Sequence, residues 1–381
     1  GGASGKNVIS GNSLFGVTIT GSSTTNTVSG NIIGLNSTGT AAIANGFAGV
    51  NMDTSSSSNI IGGTTPNERN IISGNLKGIT FSGVGTTSNE VKGNYIGLAV
   101  DGVAPIGNGE GIMMQTGAGG NTIGGTVAGS GNVISGNSIA LRLNSSSNNF
   151  IQGNLIGTDA AGTSAVGNDD GIMIETSSTN NSIGGTSIAE RNVISGTVVG
   201  AGVWISVTGA NGNFVRGNYI GLDKNGTTAL PNVIGVRIDV DAQNNTIGGT
   251  LAGAGNLISG NSDKGVLIAD AGTSSNVLQG NKIGLDATGA ALGNNYGVYI
   301  AAGATSNTIG GTTAAHRNII SGNTGHGVVI TGTGTASNLV QGNYIGTDVG
   351  GTAALSNSDG VRITAGATNN TVGGSTAGAG N

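Results

Sequence analysis

At 381 residues, with 77 glycines, 8% charged residues and a formal net charge of −5, the chain fits neither an ordinary globular domain nor a nucleic-acid binder, since its 13 basic residues form no cluster. Glycines without an every-third spacing and only 3 prolines exclude collagen, the absence of cysteine excludes disulfides and thiolate metal sites, and no apolar run approaches the roughly 18 residues of a membrane span. The abundant Gly, Asn, Ser and Thr favour turns over helix interiors, while a periodically recurring 36% hydrophobic content argues against disorder.

Three short segments recur along the chain. The first reads Gly-(Val/Ile)-x-(Ile/Met/Phe), beginning at Gly16, Gly49 and Gly78 and continuing to Gly360, with Ala140 filling one gap. The second reads Asn-x-Val/Ile-x-Gly, as at Asn213-Phe-Val-Arg-Gly, and the third Asn-x-Ile, as at Asn218-Tyr-Ile. Each alternates for a few residues between Gly or Asn, the pattern of a short strand. Ile-Gly-Gly-Thr starts at Ile61, Ile123, Ile183, Ile247 and Ile309, and each interval holds two copies of the first segment. Three short strands per rung over about twelve rungs predict an all-β, single-stranded parallel β-helix, a three-faced solenoid roughly 55–60 Å long. The second and third segments point columns such as Ile123, Ile151, Ile183 and Ile134, Ile156, Ile194 into its bore.

Asparagine recurs at two corners. One column contains Asn89, Asn121, Asn149, Asn181, Asn213, Asn245, Asn276, Asn307 and Asn338; a second contains Asn94, Asn132, Asn154, Asn192 and Asn218. Stacked amides donate to one neighbouring rung and accept from the other, and asparagine tolerates the left-handed backbone of a sharp corner. These properties favour structural ladders over glycosylation sites. Rungs alternate between two insertion types. One follows the third segment, as at Gly221–Asn232; the other separates the second and third segments, as at Thr312–Arg317. The outward residues of the third segment are unexpectedly apolar, among them Ile32, Ile71, Tyr95, Tyr219 and Tyr344. The first insertion type carries an apolar residue at a constant place (Ile43, Ile106, Val166, Leu230, Leu292, Leu355). We expect those loops to fold over the stripe as a thin second core; lateral association of rods is the rival.

The consensus Asn-Thr-Ile-Gly-Gly-Thr, Arg-Asn-Val-Ile-Ser-Gly-Asn, Gly-Val-x-Ile and Gly-Asn-Tyr-Ile-Gly-x-Asp resembles a repeat of right-handed parallel β-helix proteins found in large secreted or surface-attached bacterial proteins. The resemblance covers essentially the whole chain. It implies right-handed winding and an extracellular or cell-surface location. It does not imply an activity, because the wider fold includes pectate lyases, polygalacturonases, adhesins and autotransporter passengers.

Chemistry is sparse. Asp159, Asp223, Asp286 and Asp348 recur within Asp-x-x-Gly, which an Asx turn explains; a calcium site would need several oxygen ligands where each loop offers one carboxylate. Glu110, Asp170 and Asp359 precede the first strand and are expected on a solvated corner. No paired-acid arrangement is evident among Asp169, Asp170, Glu175, Asp239 and Asp241. Gly325-His326-Gly327 superficially resembles a polygalacturonase motif whose companion segments are missing, so an exposed corner histidine is expected. The outward column of the first strand supplies the binding candidates Met173, Trp204, Arg237 and Tyr299, where cation–π and sulfur–aromatic contacts are available.

The sequence therefore predicts a structural or adhesive extracellular rod without catalytic activity, metal or cofactor. A polysaccharide-binding or carbohydrate-active β-helix is the alternative. Expected partners are a cell-surface polysaccharide and other copies of the rod, end to end or side by side, with neither nucleic acid nor membrane insertion. Residues 1–381 read as one continuous solenoid. Gly1-Gly2 matches Gly373-Gly374 in phase and Asn7 matches Asn381, which suggests a segment of a longer array.

Overall fold

A computed structural model describes residues 5–381, so the phase match at Gly1-Gly2 lies outside the described residues. Among the described residues, thirty-six short strands form three parallel sheets of 12 strands each. The first sheet takes the Gly-Val-x-Ile strands (Phe15–Ile19 to Val361–Thr364), the second the Asn-x-Val strands (Thr27–Val28 to Thr371–Val372), and the third the Asn-x-Ile strands (Asn7–Ile9 to Tyr344–Ile345). Consecutive strands of the chain never pair with each other. Each pairs with its copy one rung away, so like residues stack, as Ile151 on Ile183 and Ile156 on Ile194. The predicted bore residues form one continuous apolar core along the coil. No helix among the described residues is long and apolar enough to cross a membrane.

Both asparagine columns form ladders. Asn181 donates its backbone N–H and its side-chain amide to Oδ1 of Asn213, each at 3.0 Å, and Asn213 does the same to Asn245 at 2.9 and 3.0 Å. A third column joins them at the corner before the first sheet, through Asn45, Asn75, Asn108, Asn137 and Asn168, then Asn232, Asn261 and Asn294, with Thr197 the exception. One part of the expectation is corrected. In the first column the ladder asparagine is not the left-handed residue; the residue before it is, as at Ser88, Asn148, Asn180, Gly212 and Asn244. The ladder asparagine must aim its N–H and its amide along the coil axis at one oxygen, so the turn falls on its predecessor.

The insertions after the third segment fold back as arms over the outer side of the third sheet. Antiparallel bridges such as Leu98–Pro105 and Leu222–Ala229 close each arm. Ser73, Ser135, Ser195 and Ser259 pin the roots, donating to the carbonyls of Leu98, Thr158, Leu222 and Leu285 at 2.6–2.7 Å. Successive arms bond to each other, as Lys224 N–H to Gly162 O at 2.9 Å. The thin second core exists: Ile32, Leu35 and Ile71 are buried with Tyr95, Val100 and Ile106 packed on them. Ile43 departs from the pattern and is 47% exposed. Tyr95, Tyr219 and Tyr344 are half-buried, each beneath a guanidinium from the preceding rung: Arg69, Arg191 and Arg317 lie 4.1, 4.0 and 3.9 Å from the ring centroids. The stripe that suggested lateral association is thus largely covered from within the chain.

The recurring aspartates cap these arms. Oδ1 of Asp223 accepts the N–H groups of Thr227 and Thr228 at 2.8 and 3.0 Å, and Asp159 and Asp348 do likewise. Burial raises the Asp223 pKa, but the N–H groups of Thr228 and Thr227 outweigh it and hold the carboxyl below its ordinary value. A carboxyl with a lowered folded pKa contributes stability above its unfolded pKa and loses it as pH falls through the folded value. Asp223→Ala is therefore expected to cost about 1–2 kcal/mol at neutral pH. Denaturant unfolding should show that difference shrinking below about pH 4; a pH-independent deficit would contradict the capping role.

Candidate functional site

The outer face of the first sheet brings charged and aromatic residues of successive rungs together. Its strands bend at their glycine. A Cβ on Gly235 would lie 2.8 Å from Ile258 Cγ2 and 2.6 Å from the Gly265 carbonyl, so both the glycine and the following valine face the bore. The residue before the glycine therefore turns outward. Two outward columns result, one through Thr80, Met113, Arg142, Met173, Trp204 and Arg237, the other through Lys77, Glu110, Ile139 and Asp170. This corrects the solvated-corner reading of Glu110 and Asp170, which are paired or half-buried on the sheet face.

Glu110 sits between two cations. Lys77 Nζ lies 3.3 Å from one of its oxygens and an Arg142 amino group 3.0 Å from the other. Arg142 Nε donates to Glu175 at 2.7 Å. Burial works against the Arg142 charge, but hydrogen bonds with Glu175 and Glu110 prevail and hold its pKa above the ordinary value. Burial pushes the Asp170 carboxyl up, opposed by the Ala201 N–H and Arg237 and assisted by the charge of Asp169.

Met173, Trp204 and Arg237 stand in register on consecutive strands. The Arg237 guanidinium lies 4.4 Å from the Trp204 ring centroid, and the indole N–H donates to Asp239 Oδ1 at 2.9 Å. Asp239 is fully buried and also pairs with Arg237. One face and the polar edge of Trp204 are thus engaged within the protein. Tyr299 is not part of this group; it lies two strands further on, beyond Leu267.

Around Tyr299 the structure brings together residues that sequence reasoning kept apart. A cavity of about 250 Å³ is lined by Tyr296, Tyr299, His326, Val329, Arg362 and Thr364. The two tyrosines meet edge to face at 5.3 Å, and Tyr296 packs on the His326 ring at 5.7 Å. His326 is not an exposed corner residue: its side chain is 19% exposed. Arg362 Nη1 lies 3.1 Å from His326 Nε2, and because arginine only donates, Nε2 accepts and the neutral ring carries its proton on Nδ1. Nδ1 faces Asp359 Oδ2 at 3.1 Å without hydrogen-bond alignment. The isolated Gly-His-Gly carried little signal in sequence, because Asp359 and Arg362 reach it only from the next rung.

No protein-family profile matches the chain, and no curated protein matches it by sequence. Among solved structures it is similar to the Dettilon tailspike protein at 18% identity and a TM-score of 0.48, over 94% of this chain and 62% of that one. It is also similar to a variant of the periplasmic alginate epimerase AlgG (11% identity, TM-score 0.39, 84% and 75% of the two chains). A third is the A-module of the Azotobacter vinelandii mannuronan C-5 epimerase AlgE4 (14%, 0.33, 96% and 88%). The chain spans under two thirds of the tailspike's length, and at these identities the likeness is one of fold. The expectation that the chain is not an enzyme is nevertheless corrected, because two of these similar structures are epimerases by name and the fold gives no ground for setting catalysis aside. With three twelve-stranded parallel sheets and asparagine ladders at its corners, the chain is a parallel β-helix repeat protein.

Proposed function

We propose that the chain binds a polysaccharide along the outer face of its first sheet, with the cavity at Tyr296 and Tyr299 as the main subsite. The observation that carries this reading is the cavity itself. Its two tyrosines offer rigid apolar surface with polar tips, and His326 and Arg362 add hydrogen-bonding groups on the same face. Arg237 and Trp204 extend the surface two and three strands away. The epimerases and the tailspike that share the fold make acidic and neutral polysaccharides the natural panel to test.

A second reading, catalysis on that polysaccharide, is favoured by the contacts of His326. Its Nε2 lone pair is held by Arg362. An anionic sugar that draws Arg362 to itself would free Nε2 to accept a proton, and Asp359 would stabilise the resulting imidazolium.

Binding and turnover on a polysaccharide panel test both readings. Tyr299→Ala is expected to weaken binding about tenfold, and His326→Ala to abolish any turnover while binding persists. Binding unchanged in both Tyr299→Ala and Trp204→Ala would refute the surface.

A further inference from the structure

The insertions between the second and third segments follow a longer rhythm than the two-rung repeat. They end alternately in Arg-Asn (Arg69, Arg191, Arg317) and Gly-Asn (Gly131, Gly255, Gly380). Each arginine covers a tyrosine on the following rung, so the chain repeats chemically every four rungs. Beneath the first two Gly-Asn insertions, on the outer side of the second sheet, lie two cavities of about 330 and 200 Å³. Their linings correspond: Lys92, Thr122, Gly124 and Gln152 in one, Arg216, Thr246, Gly248 and Gln279 in the other. In both, a cation on one rung and a glutamine two rungs on stand over a glycine floor.

The cavities differ most in the residue that stands beside the cation. In the first, Glu90 lies 2.6 Å from Lys92 Nζ, so the cation is neutralised from within the chain. The register of the second sheet runs from Glu90 through Thr122, Phe150 and Ser182 to Phe214, so the counterpart of Glu90 in the second cavity is a phenylalanine. Phe214 lies 5.0 Å from the Arg216 guanidinium and supplies no counter-charge. Among the described residues no carboxylate comes within 4.0 Å of Arg216. Its Nη2 donates to Ser182 Oγ at 3.1 Å, and its Nε is buried without a partner. Glu190 feels the Arg216 charge, but one of its oxygens already accepts the N–H groups of Thr186 and Ser187 at 2.9 and 2.8 Å. A guanidinium so placed lacks the planar acceptor that its fork of donors fits.

We infer that the cavity at Arg216 is a second binding site, separate from the first-sheet face, for a carboxylated sugar residue. The carboxylate takes the place that Glu90 fills four rungs earlier. Phe214 and Leu251 provide apolar surface for the ring, and Thr246 and Gln279 provide hydrogen bonds for its hydroxyls.

Calorimetric titration of the intact chain with an oligogalacturonate, an oligomannuronate and a carboxyl-reduced neutral oligomer tests the assignment. With the first-sheet subsite removed by Tyr299→Ala, at least one acidic oligomer is expected to bind and the neutral one not. Arg216→Gln should weaken that binding at least about tenfold. Phe214→Glu, which installs an internal counter-charge, should abolish it. Glu90→Phe, which frees Lys92, should add a second equivalent of ligand. The first-sheet variant Tyr299→Ala should leave this site intact, which separates its failure from that of the first-sheet reading. No acidic binding, equal binding of the neutral oligomer, or wild-type binding by a folded Phe214→Glu chain would each overturn the inference.

Discussion

Asn213→Ala is expected to be among the most damaging single substitutions in the coil, at about 3–5 kcal/mol. The residue occupies a fully buried corner at the middle of its ladder. Its removal takes the acceptor from the backbone N–H and the amide of Asn181 and the donor from the Ser178 carbonyl. Each buried donor left without a partner costs about 1–3 kcal/mol, and no water reaches a site this enclosed without opening the rung. Because each rung touches only its neighbours, the loss should localise. Hydrogen exchange should accelerate first in the rungs of Asn181, Asn213 and Asn245. Asn213→Asp keeps the acceptor but buries a charge, so its folded pKa is raised; its deficit should be largest at neutral pH and shrink as pH falls through that value. A substitution cost under about 1 kcal/mol, read from denaturant midpoints, would mean that the ladder contributes little beyond the strand pairing.

Gly184→Ala is expected to be comparably severe, for a different reason. Gly184 has φ +79°, and a Cβ there would lie 2.2 Å from the Arg216 carbonyl and 2.4 Å from Asn218 Oδ1. Backbone strain of about 1–2 kcal/mol is then added to a clash with the next rung's backbone, which can yield only by breaking the stack, for a total on the order of 3 kcal/mol or more. Gly21 is the matched control: its φ is +68°, yet its Cβ would meet nothing within 4 Å. Gly21→Ala should cost about 1–2 kcal/mol, the strain alone. Equal costs at the two sites would show that backbone conformation, not the close approach of rungs, selects glycine on the second sheet.

Much of the architecture was legible because a solenoid repeats its environment. A residue type recurring at one phase, such as isoleucine at Ile123, Ile151 and Ile183, announces a shared contact without any long-range inference. The same logic extends to two further features of the coil. The third asparagine corner is written in the recurring Ser-Gly-Asn at Asn75, Asn137 and Asn261. The four-rung rhythm is written in the joint alternation of Arg69, Arg191 and Arg317 with Tyr95, Tyr219 and Tyr344. Both signals needed a comparison across the two rung types instead of within one.

By itself, then, the sequence determined the strand periodicity, the apolar bore, two of the corner ladders and the existence of the covering arms, since each depends on local pattern repeated at a fixed phase. The tertiary structure alone decided which side chains meet on the outer faces. Strict alternation would turn Glu110, Asp170 and Tyr296 inward, but the bend at the following glycine sends them out and sets Tyr296 against Tyr299 and His326. Likewise, Arg216 lacks a contacting carboxylate only because the stacked register replaces Glu90 with Phe214 beside it. A one-dimensional repeat predicts what stacks along the coil; the bends within a rung and the neighbours two to four rungs away decide what chemistry the surface holds.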